Sequence, residues 1–425
     1  MRLVRRPAAA GVAGIGAAIG AASLAGYALL AVVGRLLTPA DFGLFVAFWG
    51  VLFGIGGSLS TIEQETARRT AKEVGEPGPS VPAVTAASAV IAALAAAVTL
   101  LPPVASRLYG SADSRIGLIV VLAALGFAIQ FAVRGVLIGS SSVRGYAGIV
   151  VAEAVSRLVL LLVIAASLGV NLSSATVAVA VGSYAWLGWF RRARVVLPRA
   201  RLEAHEWRHA FRRAGSLMLA AALTASVITG YPTMVAALTD SAPGAAGGSV
   251  FAALTVSRVP LLLVSPIQAM AVPAVVRWRH STQSRGRSML RRVLIAGTLS
   301  FAVLAIIGGA VGWLWGPRVV QLVYGTAYDV APAAVALLVT SAFLLGWVLL
   351  MSAAFVALAA YRRMIVMWAA AAGLTALWLA VSPLGVVQTT AIGALIGPLA
   401  AMAWGIPSLW SLMPSEHADR SGVPA

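Results

Sequence analysis

A chain of 425 residues that is 60% hydrophobic and only 10% charged is excluded from the ordinary soluble classes, because so few charges cannot cover so much apolar surface. Its net charge of +18 would suggest nucleic acid in a soluble protein, but in a membrane protein such an excess marks cytoplasmic loops, so no nucleic-acid partner is expected. The absence of cysteine excludes disulfides and thiol chemistry.

Twelve apolar runs approach the length of about 20 residues that a helix needs to cross a bilayer. The first follows a basic start but is too long for the apolar part of a signal peptide, so we expect an uncleaved span. The predicted spans are 11–33, 42–62, 82–105, 116–139, 148–168, 173–190, 215–238, 250–275, 293–315, 331–356, 364–382 and 388–410.

The first outer turn is expected in "GRLLTPADFGLFVAF" (34–48), between the first two spans. Thr38 can cap the second helix, Pro39 fits its first position, and Asp41 favours its N-terminal dipole. Arg35 ends the first span, where it can bond the last carbonyls or reach outer-leaflet phosphates.

The distribution of basic residues predicts the topology. With a cytoplasmic N-terminus, 24 of the 31 Lys and Arg fall in inner segments, four in outer loops and three inside spans. This asymmetry follows the positive-inside rule and places both termini in the cytoplasm.

The longest inner connection is basic and predicts the joint between two halves. We expect an N-terminal six-helix lobe at 1–190, a basic cytoplasmic linker at 191–214, a C-terminal six-helix lobe at 215–410 and a cytoplasmic tail at 411–425. Tyr-Gly pairs recur in equivalent outer loops of the two halves. This pattern indicates parallel repeats, as in alternating-access transporters.

Charged residues inside spans are costly and are therefore candidates for function. Glu153, Arg134 and Arg157 are predicted on the fourth and fifth spans, and Arg258 on the eighth. Glu153 can neutralise Arg134 or Arg157, but three arginines face this one carboxylate. The expected surplus of about two positive charges fits a cavity for a phosphate-bearing head group, lined by Arg157 and Arg258.

Two glutamines inside spans extend this candidate site. Gln130 and Gln268 can hydrogen-bond sugar hydroxyls or, alternatively, join neighbouring helices. Nothing indicates catalysis: the histidines lack metal-ligand spacing and no Gly-rich phosphate loop is present. We therefore expect neither an enzyme, a metal site nor a cofactor, and leave open coupling to an ion or to the membrane potential.

Four stretches resemble the polysaccharide-transporter branch of the multidrug/oligosaccharidyl-lipid/polysaccharide (MOP) flippase superfamily, which includes flippases of the O-antigen and teichoic type. They lie in the first outer turn, the fourth-to-fifth span region, the eighth span and the ninth-to-tenth outer loop. Their sequences are "GRLLTPADFGLFVAF", "RGVLIGSSSVRGYAGIVVAEAVSRLV", "VSRVPLLLVSPIQAMAVPAVVR" and "QLVYGTAYDVAPAAVALL".

The resemblance implies an all-α polytopic membrane protein of about 12 helices, in two lobes that rock between inward- and outward-open states. It implies a glycan linked to undecaprenyl phosphate or pyrophosphate as cargo, with Arg157 and Arg258 as phosphate contacts. The expected partners are this lipid-linked substrate, membrane lipids, and the glycosyltransferases and glycan polymerase that handle the same glycan.

Two other functions stay open. One is an ion-coupled drug or metabolite antiporter with Glu153 as proton carrier, although the first span lacks the carboxylate that drug exporters often carry there. The other is a membrane glycan polymerase or ligase, although the chain lacks a sizeable outer loop. The composition, rich in Ala, Arg and Gly, indicates the cell membrane of a high-GC bacterium.

Overall fold

The computed structural model describes residues 9–72, 80–111, 114–197, 204–239, 244–262 and 283–412, together with 264, 267, 268 and 275. Within this part of the chain the regular structure is entirely helical, which confirms the predicted all-α fold. The chain divides into two compact units, Met1–Gly248 with Val323–Ala327, and Ser249–Leu322 with Tyr328–Ala425.

The first unit is built from helices of very different lengths. They are α1 (Ala9–Leu36), α2 (Pro39–Lys72), α3 (Ser80–Ala97), α4 (Pro102–Tyr109), α5 (Arg115–Gly139), α6 (Val143–Ser167), α7 (Leu172–Val181), α8 (Phe190–Val196), α9 (Ala204–Ile228) and α10 (Tyr231–Leu238), with 3₁₀ turns at Val98–Leu100 and Gly182–Trp189.

In the second unit α11 (Gly244–Ser257), which begins in the first, is followed by four long helices. These are α12 (Gln283–Tyr324), α13 (Pro332–Ala357), α14 (Tyr361–Val381) and α15 (Val386–Ser411). Helix α15 packs against both α13 and α14. With 42 residues, α12 is about 63 Å long, more than twice the hydrocarbon thickness.

Ten helices in the described residues are long and apolar enough to cross a membrane. The other two predicted spans are shorter or only partly described. The span at 173–190 comprises α7 and a 3₁₀ turn, and that at 250–275 begins in α11 but lies largely outside the described residues. The cytoplasmic placement of the termini stays a prediction.

Helices α9 and α10, expected at the start of the second lobe, pack in the first unit. The predicted linker at 191–214 contains α8 and the first turns of α9, whereas 198–203 lie outside the described residues. The tail at 411–425 is described only as far as Leu412. The division into six-helix lobes stays a prediction.

The turn between α1 and α2, predicted as the first outer turn, is organised by its polar residues. The backbone N–H of Asp41 donates to Thr38 Oγ1 at 3.2 Å, as expected of a helix cap, and the Thr38 hydroxyl donates to Asp41 Oδ2 at 2.8 Å. Arg35 Nε donates to the carbonyl of Val323 at 2.8 Å, so its partner is a distant segment of the same unit.

Helix α2 is central in the first unit because small residues let other helices approach its backbone. A Cβ on Gly135 of α5 would lie 2.5 Å from the Glu63 carbonyl, and one on Gly139 would lie 2.6 Å from that of Ala67. On the side of α10, Thr233 Oγ1 donates to the Ala47 carbonyl at 2.9 Å. The helix is therefore packed backbone to backbone against α5.

We predict that Gly135→Ala destabilises the protein by about 1–3 kcal/mol, because the added methyl would lie 2.5 Å from the Glu63 carbonyl oxygen of the α2 backbone. The measurement is the thermal unfolding midpoint in detergent. Gly20→Ala is the control, since nothing lies within 4 Å of a Cβ there. Equal midpoints for the two variants would contradict this account of α2 packing.

Candidate functional site

A network of buried charged and polar side chains crosses the interior of the first unit. Gln130 and Arg134 lie one turn apart on α5, and Glu153 and Arg157 lie one turn apart on α6, so each pair shares a helix face. The structure thus brings together four of the six predicted site residues.

Glu153 is the centre of this network. Its carboxylate binds the Arg157 guanidinium and accepts a hydrogen bond of 2.7 Å from Gln130 Nε2. Arg134 NH1 lies 3.6 Å from Glu153 Oε2. Glu153 therefore contacts both arginines, although its single negative charge can balance only one of them.

Glu63 of α2 is a second carboxylate in the network, and the sequence analysis missed it. Arg134 Nε lies 2.9 Å from Glu63 Oε2, and the Tyr146 hydroxyl donates to Glu63 Oε1 at 3.1 Å. That hydroxyl in turn accepts a hydrogen bond of 3.0 Å from Arg134 NH2. Arg134 therefore joins three helices through two carboxylates.

Glu63 was missed because the apolar run that predicts the second span ends at residue 62, whereas α2 continues to Lys72. A signal was present in the sequence. Residues spaced by three or four continue the buried face of the helix beyond the apolar run: Leu59, Ile62, Glu63, Thr66 and Thr70.

Counting Glu63 corrects the expected charge. Two carboxylates now balance Arg134 and Arg157 in the first unit, and the surplus over all three predicted intramembrane arginines falls from two to one. The arginines of the first unit's network are therefore balanced by carboxylates, and a cavity lined by Arg157 and Arg258 stays a prediction.

Besides its ion pair with Glu153, the Arg157 side chain makes a hydrogen bond and two aromatic contacts. Its Nε donates to the Val179 carbonyl at 3.1 Å, and its guanidinium lies over the rings of Phe53 and Phe127, at 4.8 and 5.6 Å from their centroids. A Cβ at position 182 would lie 2.2 Å from Arg157 Nε, so Gly182 makes room for this side chain. Helix α7 also changes to a 3₁₀ turn at this glycine.

The remaining two predicted site residues belong to the second unit. Arg258 is half-buried in the turn that follows α11, and Gln268 is helical and half-buried. In the described part of the chain no group of three or more His, Asp or Glu residues is arranged to hold a metal ion.

Comparison with known proteins identifies the fold. No family model matches the chain. An inward-facing multidrug resistance MATE family transporter of the MOP superfamily aligns with a TM-score of 0.59 at 14% identity, and an outward-facing one with 0.57 at 16%. Each alignment covers 95% of this chain and 96% of the other. This chain has the fold of a MOP-superfamily transporter.

Another protein with the MOP fold comes from Pyrococcus furiosus, and its structure is described as having a binding pocket of reversed polarity that suggests a different function. It aligns with a TM-score of 0.55 at 13% identity, over 95% of this chain and 96% of its own. The MOP fold agrees with the superfamily that the motifs predict, whereas the polysaccharide-transporter branch stays a prediction.

Sequence relatives of this MOP-fold chain occur in mycobacteria. Uncharacterized protein Rv3630 of Mycobacterium tuberculosis is 28% identical over 400 residues, which cover 92% of this chain and 90% of the relative. Uncharacterized protein Rv1510 of the same organism is 28% identical over 407 residues, covering 94% and 91%. Mycobacteria are high-GC bacteria, the group that the composition indicates.

We predict that Arg157→Gln destabilises the MOP fold by about 3–5 kcal/mol, because it removes one partner of a buried ion pair. The double variant Glu153→Gln/Arg157→Gln is expected to recover part of this loss, since no unbalanced charge remains on α6. The measurement is the thermal unfolding midpoint of each variant in the same detergent. If the double variant loses as much stability as the sum of the single losses, the two side chains are not energetically coupled.

Tyr146→Phe tests the contacts that Glu63 makes in the network. Removing the hydroxyl leaves Arg134 NH2 and Glu63 Oε1 without their shared partner, so we expect a loss of about 1–3 kcal/mol in unfolding free energy. Tyr361→Phe is the matched control because Tyr361 is exposed at the start of α14. Equal stability of the two variants would show that Glu63 is satisfied without Tyr146.

Proposed function

We propose that this protein is a membrane transporter that moves an oligosaccharide linked to polyprenyl phosphate or pyrophosphate from the cytoplasmic to the outer leaflet by alternating access. The transported glycan would serve cell-surface polysaccharide biosynthesis. Transport is proposed from the fold shared with MOP-superfamily transporters over 95% of the chain.

The sign of the buried charge supports an anionic cargo. Glu63 and Glu153 are both held by arginine, and the residues predicted inside spans include a third arginine, Arg258. A membrane interior with this balance favours an anion over a cation. A phosphate oxygen pair matches the fork of a guanidinium, which donates two parallel hydrogen bonds.

The candidate residues take different roles in this proposal. Arg258, half-buried in a turn of the second unit, is proposed as the direct phosphate contact. Arg157 can contact phosphate only by exchanging its bond to Glu153. Arg134, Glu153 and Gln130 would hold Arg157 in position, and Gln268 would bind sugar hydroxyls.

An ion-coupled antiporter is the second candidate, because two of the structural neighbours are multidrug resistance transporters. A coupling carboxylate must take up and release a cation. Glu153 binds Arg157 and Gln130 and faces Arg134, so its oxygens already have donors. A proton or metal ion would have to displace these partners, which favours the flippase over the antiporter. A polymerase or ligase is disfavoured by a fold shared with transporters.

We predict that Arg258→Gln slows flipping of a fluorescent lipid-linked oligosaccharide by at least about tenfold, which corresponds to about 1.4 kcal/mol of lost stabilisation in the rate-limiting state. The assay uses proteoliposomes and a membrane-impermeant quencher that reports the glycan in each leaflet. Arg362→Gln is the control, since Arg362 is exposed at the start of α14, in a predicted cytoplasmic loop.

The double variant Glu153→Gln/Arg157→Gln tests whether Arg157 acts in transport or only balances the charge of Glu153. If it folds normally and does not flip, Arg157 has a role in transport beyond balancing Glu153. Normal flipping by a well-folded Arg258→Gln protein would overturn the phosphate-contact proposal. Absence of flipping, combined with proton-driven export of a small organic cation that Glu153→Gln abolishes, would favour the antiporter.

A further inference from the structure

A second cluster of charges lies where α2 and α9 meet, and the proposed function does not use it. Glu65 of α2 binds three guanidiniums. Arg68 donates to its carboxylate through Nε at 2.9 Å and NH2 at 2.8 Å, and Arg69 through Nε at 2.7 Å. Arg213 NH2, from α9, lies 3.1 Å from Glu65 Oε1. We call these four residues the Glu65 cluster.

The Glu65 cluster has a buried carboxylate and exposed arginine side chains. The Glu65 side chain is only 6% exposed, whereas those of Arg68 and Arg213 are 46% and 43% exposed. The carboxylate therefore lies beneath a surface formed by guanidiniums of two different helices. At this surface the two exposed arginines, Arg68 and Arg213, share the single negative charge of Glu65.

The side chains around the Glu65 cluster are also mainly basic. The described ends of α2 and α9 also expose four basic side chains and one acidic side chain: Lys72, Arg208, His209, Arg212 and Glu206. Among these described side chains, basic residues outnumber acidic ones.

The cluster lies at the predicted depth of lipid phosphates. The apolar run of α2 ends at residue 62, and that of α9 begins at 215, so Glu65 and Arg213 flank the predicted cytoplasmic boundary. A helix rises about 1.5 Å per residue, which places both residues within about one turn of that boundary. Head groups of the inner leaflet occupy this layer.

We propose that the Glu65 cluster binds the phosphate of a membrane lipid in the cytoplasmic leaflet. The positive-inside rule accounts for scattered arginines at this boundary, but it does not account for arginines of two helices that converge on one buried carboxylate. Glu65 fixes the guanidiniums of Arg68 and Arg213, and their remaining N–H groups can donate to phosphate oxygens. Basic pockets between helices on the cytoplasmic side are a recognised way to bind such head groups.

The shared chemistry is a phosphate on a lipid, and two lipids in the leaflet can supply it: an ordinary anionic phospholipid or a polyprenyl phosphate. This inference does not depend on the flippase proposal. Preference for phosphatidylglycerol would identify a bound structural lipid, and preference for undecaprenyl phosphate would identify a docking site for the lipid carrier.

The test measures lipid binding to the purified full-length protein in phosphatidylcholine nanodiscs by native mass spectrometry, with phosphatidylglycerol or undecaprenyl phosphate added in separate titrations. We expect Arg68→Gln/Arg213→Gln to weaken binding of the preferred lipid about tenfold. Glu65→Gln is expected to tighten binding severalfold, because the carboxylate no longer competes with phosphate for the guanidiniums. Arg362→Gln is the control and should leave binding unchanged.

The expected changes in lipid affinity have opposite signs for Glu65→Gln and for the double arginine variant. This difference distinguishes lipid binding by the cluster from a role only in holding α2 to α9. If the cluster only holds α2 to α9, Glu65→Gln weakens binding as much as the double arginine variant, or neither variant changes it; either result overturns the proposal. Equal affinity for both added lipids and phosphatidylcholine also overturns it. If Glu65→Gln does not fold, Arg213→Lys replaces it. We expect Arg213→Lys, which keeps the charge, to bind more tightly than Arg213→Gln, and equal binding by the two would overturn the proposal.

Discussion

The first unit depends on the rule that a charge inside a membrane needs a partner of opposite charge. An ionised side chain in a span costs about 2.5–3.5 kcal/mol on insertion scales. Arg134 reaches its second carboxylate, Glu63, because Gly135 and Gly139 let α5 approach the backbone of α2. In this unit the close packing of α5 against α2 is therefore also what pairs Arg134 with Glu63.

The same constraint limits what the network can do. Arg134 bridges Glu63 and Glu153, so moving α2, α5 or α6 apart would expose an unbalanced charge. We infer that these three helices move as a body during any transport cycle. The one contact that a cargo phosphate could replace without separating helices is that between Glu153 and Arg157, because both lie on α6.

Much of this architecture follows from the sequence. Apolar runs of sufficient length locate the long helices, and Thr38 marks the start of α2. The sequence also identifies Gln130, Arg134, Glu153 and Arg157 as residues that need partners, since few polar side chains occur within its spans. It supplies Glu153 as a partner for the arginines but not Glu63, because Glu63 meets Arg134 through a helix-helix contact made by glycines. The break between α7 and its 3₁₀ turn was missed for the same reason: Gly182 matters only once Arg157 lies against it.

Helix α2 carries both charge clusters on different faces. Glu63 and Glu65 are two residues apart, and at about 100° per residue their side chains diverge by about 200°. Glu63 consequently joins α5 and α6 in the interior, whereas Glu65 joins α9 at the surface. The interior cluster is neutral and the surface cluster carries the surplus. This placement follows the cost of charge. Arginines at the surface can be solvated by lipid phosphates and water, and inside the first unit Arg134 and Arg157 each contact a carboxylate. An anionic lipid would thus meet unbalanced positive charge first at the Glu65 cluster.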